Sequence, residues 1–262
     1  MTGHLVVPER STIEAALRTE DLEEWLRLWC SSQGGTPRNR RFELMSAVLP
    51  FDPSQEIRVL DMCCGPGDLG RFIQRSFSRA RIDCVDRDRF LLALCVELNR
   101  RRGITTRVFE RDGWDPDWRL GLDQPYHVIA AATALHWFDV ARLTALFCDF
   151  YDLLRPRGAF VFAEPAAPEP EFAPGFQQWA GEREAGCDIE GTAWAQFWNR
   201  ANTLLGYNHQ AVLKALPRKR SMIGDDGIPV LRYVELLHQA GFGRVDILLR
   251  ETQCVTIAAL KS

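Results

Sequence analysis

Short apolar runs and helically spaced apolar faces follow one another along the middle of the chain. The short runs predict strands near residues 57–62, 81–85, 106–110, 126–131 and 158–163. The segments between them have helical spacing and predict helices near 67–77, 88–102 and 140–154. Because strands and helices alternate, we expect βαβ units, a parallel sheet and right-handed crossovers.

The last part of the chain departs from this alternation. A helix is predicted over 229–240, with Gly241 just beyond its end, where glycine is favoured. Residues 243–251 and 252–260 then read as two consecutive strands with a short link, which demands antiparallel pairing. The pattern therefore predicts a Rossmann-like α/β fold: a seven-stranded, mostly parallel sheet with an antiparallel C-terminal strand and helices on both faces.

Two other segments lie outside the alternating core. From Ser11 to about Leu49 the pattern predicts two helices divided by SSQGGTPR, the first opening with a capping box of Ser11 and Glu14. The broad apolar face of these helices either packs on the core or closes over a ligand as a lid. After the fifth strand, a proline-rich connector leads into a helical, aromatic-rich stretch near 192–216. Those aromatic residues either line a substrate pocket or pack the inserted helices.

We therefore predict a single domain in four parts. Residues 1–56 form an N-terminal helical lid, 57–164 a cofactor-binding core, and 165–228 a substrate cap inserted after strand 5. Residues 229–262 return to the core as a helix and a strand hairpin. An insertion after the fifth strand lies over the carboxyl edge of the sheet, where loops of such folds build ligand pockets.

The run RVLDMCCGPGDLG, residues 58–70, indicates a ligand-binding edge. A buried strand ends there in Asp61, enters a glycine turn and opens a helix. Gly65 and Gly67 have no Cβ atoms, so backbone N–H groups can approach a ligand closely. With Gly70 they also satisfy the dinucleotide pattern G-x-G-x-x-G. The carboxylate of Asp61 would repel a pyrophosphate, however, and suits a cation such as an amino group.

Acidic residues also end the next two predicted strands. Asp86 follows the second strand about twenty residues after Gly65, the separation at which an acid accepts hydrogen bonds from ribose hydroxyls. Its alternative role is that of a helix N-cap, for which Asp88 is the better candidate. Asp112, after the third strand, either receives the exocyclic amine of adenine beside Trp114 or serves as a turn acid before Gly113.

These motifs together resemble the class I S-adenosylmethionine-dependent methyltransferases. The matching stretches are VLDMCCGPGDLG (59–70), VDRD (85–88), RDGW (111–114), YHVIAAATALHWFD (126–139), LLRPRGAFVFAEP (153–165), YVELLHQAGFGRVDI (233–247) and CVTIAAL (254–260). The resemblance implies that S-adenosylmethionine is the cofactor. It places the methionine amino group at Asp61, the methionine portion and ribose along Gly65 and Gly67, the ribose hydroxyls at Asp86, and adenine at Asp112. It adds Cys63, Arg87, Gly113, Trp114, Ala131 and Ala132 as candidate cofactor-binding residues.

Two residues depart from the pattern of that family. Cys63 and Arg157 stand where its members usually have glycine or a similar small residue. Cysteine is small, so we expect the cofactor loop to tolerate Cys63. Arg157 precedes the fifth strand, far from the chemistry.

Methyl transfer from a sulfonium is an in-line displacement in which a protein mainly orients the reactants and excludes water. His136, after the fourth strand, is the candidate catalytic residue, as a base toward a hydroxyl or as a hydrogen-bond partner of a carboxylate. The alternative is a half-buried histidine bonded to the backbone of its turn. Six residues are predicted to line the substrate pocket: Trp25, Trp29, His136, Trp137, Trp194 and Trp198.

The sequence HWFD resembles small-molecule methyltransferases, including ones that esterify carboxylic acids. The N/D-P-P-Y/F signature of amino-group methylation of nucleic acids or glutamine is absent after strand four. We therefore expect transfer to a small, partly apolar molecule, with oxygen favoured over carbon or nitrogen. Two alternatives stay open: a non-methylating reaction of the same fold, such as cyclisation or rearrangement, and an NAD(P)-dependent oxidoreductase.

Composition argues against nucleic acid, membrane and metal as binding partners. A net charge of −3 gives no reason to expect nucleic acid, and the basic clusters at 38–41, 99–103 and 217–220 read as solvated helix ends. No apolar run reaches the length of a membrane span, and no apolar signal core opens the chain, so a cytoplasmic monomer or homodimer is expected. The 8 cysteines of a chain with intracellular character are expected to be reduced thiols. Neither they nor the 5 histidines show metal-ligand spacing, so no metal is expected.

Overall fold

The computed structural model describes residues 8–33, 35–122, 125–175, 189–215, 223, 227–251 and 253–262. They form a seven-stranded sheet in the order β3-β2-β1-β4-β5-β7-β6. The strands are β1 Arg58–Met62, β2 Arg81–Asp86, β3 Thr106–Glu110, β4 Tyr126–Ala132, β5 Leu154–Pro165, β6 Arg244–Arg250 and β7 Cys254–Leu260. Strands β1 to β5 pair in parallel, and β7 lies antiparallel between β5 and β6. The predicted fold class is confirmed.

Helices connect and cover these strands. They are α1 Arg10–Leu17, α2 Leu22–Ser32, α3 Gly35–Ala47, α4 Asp68–Ser76, α5 Arg89–Arg101, α6 Val140–Leu153, α7 Ile189–Leu205, α8 His209–Ala215 and α9 Val230–Gln239. A short 3-10 turn, Leu135–Trp137, follows β4. The strands of the middle of the sheet are buried on both faces, as expected of a parallel sheet covered by helices.

Two apolar cores lie on opposite faces of the sheet. On one face, the rings of Phe147 and Phe150 from α6 pack on Phe160 and Phe162 of β5, with centroids 5.0–5.9 Å apart. On the other face, side chains of α3, α4 and α5 pack against alternate residues of β1, β2 and β4. Successive strand residues point to opposite faces, so one short strand supplies both cores.

A third apolar cluster joins the N-terminal helices to the inserted helices. The ring of Trp25 in α2 lies 5.2 Å from that of Phe197 in α7 and 5.3 Å from that of Phe90 in α5. The N-terminal segment and the insertion therefore form one packed layer beside α5. This layer borders the carboxyl ends of β1 and β2, where the candidate site lies.

The N-terminal segment contains three helices where two are predicted. The predicted break at SSQGGTPR is present, but a second break precedes Asp21, whose side chain accepts hydrogen bonds from the backbone N–H groups of Glu23 and Glu24 at 3.1 and 3.3 Å. The expected capping box is wrong: α1 already begins at Arg10, so Ser11 lies inside the helix. Glu14 instead accepts a hydrogen bond from Arg10 at 3.1 Å, because the two are four residues apart on one helix face.

Other boundaries differ by a few residues. The predicted helical stretch 192–216 divides at Gly206, which has a φ of 65°, a left-handed conformation that glycine adopts readily. Strand β5 begins directly after α6, at Leu154. Gly241, with a φ of 106°, follows the end of α9 as predicted.

Candidate active site

The glycine loop between β1 and α4 is tightly enclosed. Gly65 and Gly67 have φ values of 54° and 80°. A Cβ on Gly65 would lie 2.9 Å from the ring of Trp29, and one on Gly67 would lie 2.5 Å from Sγ of Cys95. Both positions therefore require glycine, for conformation and for space. Cys63 has a φ of 52°, so the residue that departs from the family pattern occupies a backbone conformation that favours glycine.

Asp61 lies at the end of β1 behind this loop. Its side chain is almost completely buried, and Oδ2 accepts a hydrogen bond from the N–H of Gly70 at 2.9 Å. Burial raises the pKa of this carboxyl well above its usual value, against the lowering effect of the Gly70 hydrogen bond. A cationic group beside Asp61 would restore the ionised form, which is what a ligand amino group supplies.

Asp86 ends β2 and ties it to the glycine loop. Oδ2 accepts the N–H of Gly65 at 2.8 Å, and Oδ1 accepts the N–H of Asp88 at 2.8 Å. Burial raises the pKa of Asp86 to about 6. Asp88 caps α5 by accepting the N–H groups of Phe90 and Leu91 at 2.9 and 3.1 Å, which confirms its predicted role as the N-cap.

Asp112 follows β3, where its carboxylate accepts the N–H of Trp114 at 3.0 Å. The turn geometry considered as the alternative is thus present, and Asp112 also lines the cavity described below. A Cβ on Gly113 would lie 2.7 Å from the ring of Phe138 and 2.8 Å from Cε of Met62. The indole N–H of Trp114 donates to the carbonyl oxygen of Trp137 at 3.2 Å, so Trp114 buttresses the turn that carries His136.

A cavity of about 1070 Å³ joins these residues at the carboxyl edge of the sheet. Its lining includes most of the predicted site: Trp29, Asp61, Cys63, Gly65, Asp86, Arg87, Asp112, Gly113, Ala132, His136, Trp137, Trp194 and Trp198. Four predicted residues do not line it: Gly67, Trp114, Ala131 and Trp25. Ala131 and Trp25 are completely buried in the apolar clusters. Ala131 points to the opposite face of β4 from the cavity residue Ala132, whereas Trp25 lies one helical turn before the cavity residue Trp29 on the same face of α2 and is covered by Phe90 and Phe197.

His136 is held by a buried carboxylate. Nδ1 lies 2.9 Å from Oε2 of Glu164, which has no exposed surface. Oε1 of Glu164 accepts the N–H groups of Ala134 and Leu135 at 2.7 and 3.0 Å. The alternative in which the ring bonds to the backbone of its turn is therefore wrong for Nδ1. Because Nδ1 faces a carboxylate, it carries the proton, and Nε2 is left as the basic nitrogen of the neutral ring.

Glu164 lies at the site but is not among the residues predicted from the sequence. Its position, an acid at the end of the apolar strand β5, is the sequence feature from which it could have been predicted. An acid in an otherwise apolar strand of a parallel sheet is costly to bury unless hydrogen bonds compensate it. Strands β4 and β5 are neighbours, and Thr133 N–H donates to Ala163 O at 2.9 Å. The turn after β4 therefore comes directly within reach of the carboxylate.

Aromatic rings form the wall of the cavity opposite the sheet. The rings of Trp29 and Trp194 lie 5.9 Å apart, so α2 and α7 meet at this wall. Trp198 stacks on His209 of α8 at 3.6 Å with an interplanar angle of 7°. Nδ1 of His209 lies 3.3 Å from Asp88, which connects the inserted helices to the start of α5. His209 lines the cavity without having been predicted, since a single histidine in a polar helix carries no motif.

Arg38 and Arg41 do not form the solvated helix end that the sequence predicts. Both guanidinium groups are buried and line the cavity, because α3 turns this face toward the glycine loop. Arg38 Nη2 donates to Asp68 at 2.8 Å, and Arg41 Nη1 donates to Glu251 at 2.6 Å. Among the described residues, Nε of Arg38 has no hydrogen-bond partner. It is a buried donor at the edge of the cavity.

The electrostatics of Asp68 follow from that pairing. Burial pushes the pKa of this carboxyl up, but Arg38 and Arg71 on either side hold it below its usual value. Asp68 is therefore ionised and opens α4, where a negative charge is favourable. Arg38 is positioned by this ion pair.

Comparison with known proteins agrees with this fold. Residues 59–158 match the family model described as "Methyltransferase domain". The chain is 34% identical over 101 residues to trans-aconitate 2-methyltransferase of Mycobacterium tuberculosis. That match covers 38% of this chain and 34% of the relative, so the chain aligns with about a third of the length of the curated relatives it matches.

Solved structures share the fold across most of the chain. A putative O-methyltransferase from Nostoc punctiforme has a TM-score of 0.56 at 20% identity, covering 85% of this chain and 56% of its own. Human N-acetylserotonin methyltransferase, solved in complex with SAM, has a TM-score of 0.51 at 15% identity, covering 98% of this chain and 60% of its own.

The sheet order, the antiparallel β7 and the acid-bearing glycine loop define the class I methyltransferase fold. Residues 59–158, which match the methyltransferase domain, lie within this fold. The predicted resemblance to the class I S-adenosylmethionine-dependent methyltransferases is thus confirmed. In the part of the chain that the structure describes, no helix has the length and apolarity needed to cross a membrane.

Proposed function

We propose that the chain transfers the methyl group of S-adenosylmethionine to an oxygen atom of a small, partly apolar molecule. The observation that carries this proposal is His136, which lies on the wall of the same cavity as Asp61, Asp86 and Asp112 and is held from behind by the buried Glu164 at 2.9 Å. The cavity of about 1070 Å³ is at the upper end of typical ligand pockets, so cofactor and acceptor fit together.

The residues present fit S-adenosylmethionine. Asp61 is a buried carboxylate with an elevated pKa, suited to the methionine ammonium group. Asp86 is a second buried carboxylate with an elevated pKa, suited to the ribose hydroxyls. The orphaned Nε of Arg38, beside the glycine loop, supplies a donor for the methionine carboxylate. Each end of the amino acid portion thus meets a group of opposite charge.

When bound, the cofactor supplies an electrophilic methyl group on a sulfonium. The protein then has to place an oxygen in line with that carbon and exclude water. The aromatic wall of Trp29, Trp137, Trp194 and Trp198 provides an apolar surface against which a small molecule can be held. His136 Nε2 accepts the proton of an acceptor hydroxyl, and Glu164 stabilises the imidazolium that results.

Related proteins indicate acceptors to test. One relative is a trans-aconitate methyltransferase, and one structural neighbour, an O-methyltransferase family 2 protein from Planctomyces limnophilus, was solved with apigenin. A carboxylic acid and a phenol make different demands on His136. A carboxylate has already lost its proton at neutral pH, whereas a phenolic hydroxyl has to lose it during the reaction.

The test is an assay of S-adenosylhomocysteine formation, with mass spectrometry of the product, over a panel of phenols and small carboxylic acids. For phenolic acceptors, His136→Gln should lower kcat by about 10²–10⁴-fold while leaving cofactor affinity unchanged. For carboxylate acceptors the same variant should lose much less. His238→Gln, an exposed histidine on α9, is the matched control and should retain full activity.

Two results would contradict the proposal. If no panel member yields S-adenosylhomocysteine although the cofactor binds, the proposed transfer to phenolic or carboxylate oxygen is wrong. If His136→Gln keeps full turnover with phenols, His136 does not act as a base.

A further inference from the structure

A cluster of three cysteines lies beneath the glycine loop. Cys64 belongs to the loop, Cys84 to β2 and Cys95 to α5, and all three are buried. Their Sγ atoms all lie within 4.8 Å of one another, and those of Cys84 and Cys95 are 3.9 Å apart. Because the three cysteines come from separate elements, no spacing motif in the sequence predicts that they form a cluster.

The distances match three-coordinate metal binding. With metal–sulfur bonds of about 2.3 Å, a trigonal planar ion would hold its sulfur ligands about 4 Å apart. No further histidine, cysteine or carboxylate of the described residues joins the group. Zinc in structural sites takes four ligands, whereas soft thiolates without nitrogen or oxygen partners select ions such as Cu(I).

The surroundings support a thiolate at Cys95. The side-chain amide of Asn99 donates to Sγ of Cys95 at 3.5 Å, and its oxygen accepts from the buried guanidinium of Arg71 at 3.3 Å. A donor and a cation around a coordinating sulfur are the outer contacts that metal-binding thiolates require.

We propose that Cys64, Cys84 and Cys95 form a three-sulfur site for a soft metal ion of low coordination number, of the Cu(I) type. Each thiol that coordinates releases its proton to solvent, and the ion keeps its oxidation state. The site adjoins the cavity from below: Cys64 is among the residues that line the cavity, whereas Cys84 and Cys95 are not.

Its location gives such an ion a structural effect. Sγ of Cys95 lies directly under Gly67, and Sγ of Cys64 donates to the carbonyl oxygen of Gly65 at 3.3 Å. An ion held by the three sulfurs would therefore fasten the glycine loop to β2 and α5. Ligands that bind only the folded state raise its stability.

The experiment is an anaerobic titration of the reduced full chain with Cu(I), buffered by a chromogenic chelator. X-ray absorption then counts the sulfur ligands, and thermal unfolding is recorded with and without copper. We expect one Cu(I) per chain with three sulfur ligands at about 2.3 Å, and a higher Tm with copper than without it.

Variants distinguish this site from other thiols. Cys84→Val and Cys95→Ala should each lower Cu(I) affinity by at least about 100-fold and abolish the increase in Tm. Cys148→Ser removes an exposed thiol on α6 and should bind copper like the wild type. Circular dichroism without copper checks that each variant is folded, and Cys84→Val keeps the apolar packing if Cys95→Ala does not fold. Absence of binding, two sulfur ligands instead of three, or unchanged affinity in both cluster variants would overturn the proposal.

Discussion

The assignment of Asp86 to the cofactor ribose predicts a specific interaction between mutation and pH. The carboxylate already accepts backbone N–H groups from Gly65 and Asp88, one on each oxygen, and it lines the cavity with its remaining lone pairs. Ribose hydroxyls would add charge-assisted hydrogen bonds to the ionised form. Asp86→Ala removes those bonds and leaves the two backbone donors without this partner.

The magnitude follows from the number of bonds. A hydrogen bond to a charged group contributes about 1.5–3 kcal/mol, so two ribose hydroxyls contribute about 3–6 kcal/mol. We therefore expect Asp86→Ala to weaken S-adenosylhomocysteine binding by about 10²-fold or more at pH 8, from a micromolar wild-type Kd.

The pKa of about 6 gives the direction of the pH effect. Hydrogen bonds to the carboxylate favour its ionised form, so the contribution of Asp86 to affinity is present above pH 6 and lost as the pH falls below it. At pH 5 only about a tenth of the free protein carries the ionised group, so the ratio of mutant to wild-type Kd should fall about tenfold from its value at pH 8.

Isothermal titration calorimetry of both proteins at pH 5 and pH 8 measures this ratio. Protonation of Asp61 affects wild type and variant alike and cancels to the extent that the two carboxyls are independent. Asp117→Ala, an exposed aspartate outside the cavity, is the control and should not change Kd. A ratio that is the same at both pH values, or an unchanged Kd at pH 8, would refute the ribose assignment.

Three further predictions concern other parts of the site and the fold. Arg38→Met should weaken binding of S-adenosylhomocysteine by about 10–10²-fold but should not weaken binding of 5′-methylthioadenosine, which lacks the carboxylate. Arg40→Met, an exposed position on the same helix, is the control and should change neither affinity. An equal loss of affinity for both ligands would exclude Arg38 as the partner of the carboxylate. Glu164→Gln should reduce turnover of phenols as His136→Gln does, with cofactor Kd unchanged, and steady-state kinetics that match wild type would show that the carboxylate does not position the ring. Arg157→Gly should increase the free energy of unfolding by about 1 kcal/mol in urea, since Arg157 is exposed with a φ of 62°, and a loss of stability would contradict the inferred strain.

Much of the fold is predictable from the sequence because it depends on local patterns. The short strands β1, β2 and β4 are buried on both faces, so apolar residues dominate them and they are easily recognised, although Asp83 interrupts the apolar residues of β2. The link between β6 and β7 is too short for a parallel crossover, so these two strands must pair antiparallel regardless of the structure of the rest of the chain. The division of the N-terminal helices is harder to predict, because α1 begins before Ser11 without a side-chain cap and the break before α2 depends on Asp21, a single capping residue within a continuous helical pattern.

The acids at strand ends are predictable because of where parallel strands end. Asp61, Asp86 and Asp112 follow three strands of a parallel sheet, and the carboxyl ends of such strands meet at one edge. Their residue types and positions along the chain are therefore enough to place them together. Cys63 and Arg157 stand where the family usually has glycine or a similar small residue, and both have positive φ values.

The sequence by itself thus determined three features: the mostly parallel sheet, its antiparallel C-terminal strand, and the edge that carries the glycine loop and the acids. Each of them is set by hydrophobic periodicity or by residues adjacent in sequence. Tertiary structure alone decided which residues reach the cavity. Ala132 reaches it and Ala131, on the other face of β4, does not; Trp29 reaches it and Trp25, one turn earlier on the same face of α2, is covered by Phe90 and Phe197. It also brought together Glu164 with His136, Arg38 with Asp68, and Cys64 with Cys84 and Cys95. These partners lie far apart along the chain, and their contacts exist only because strand order and helix packing bring distant segments within a few ångströms.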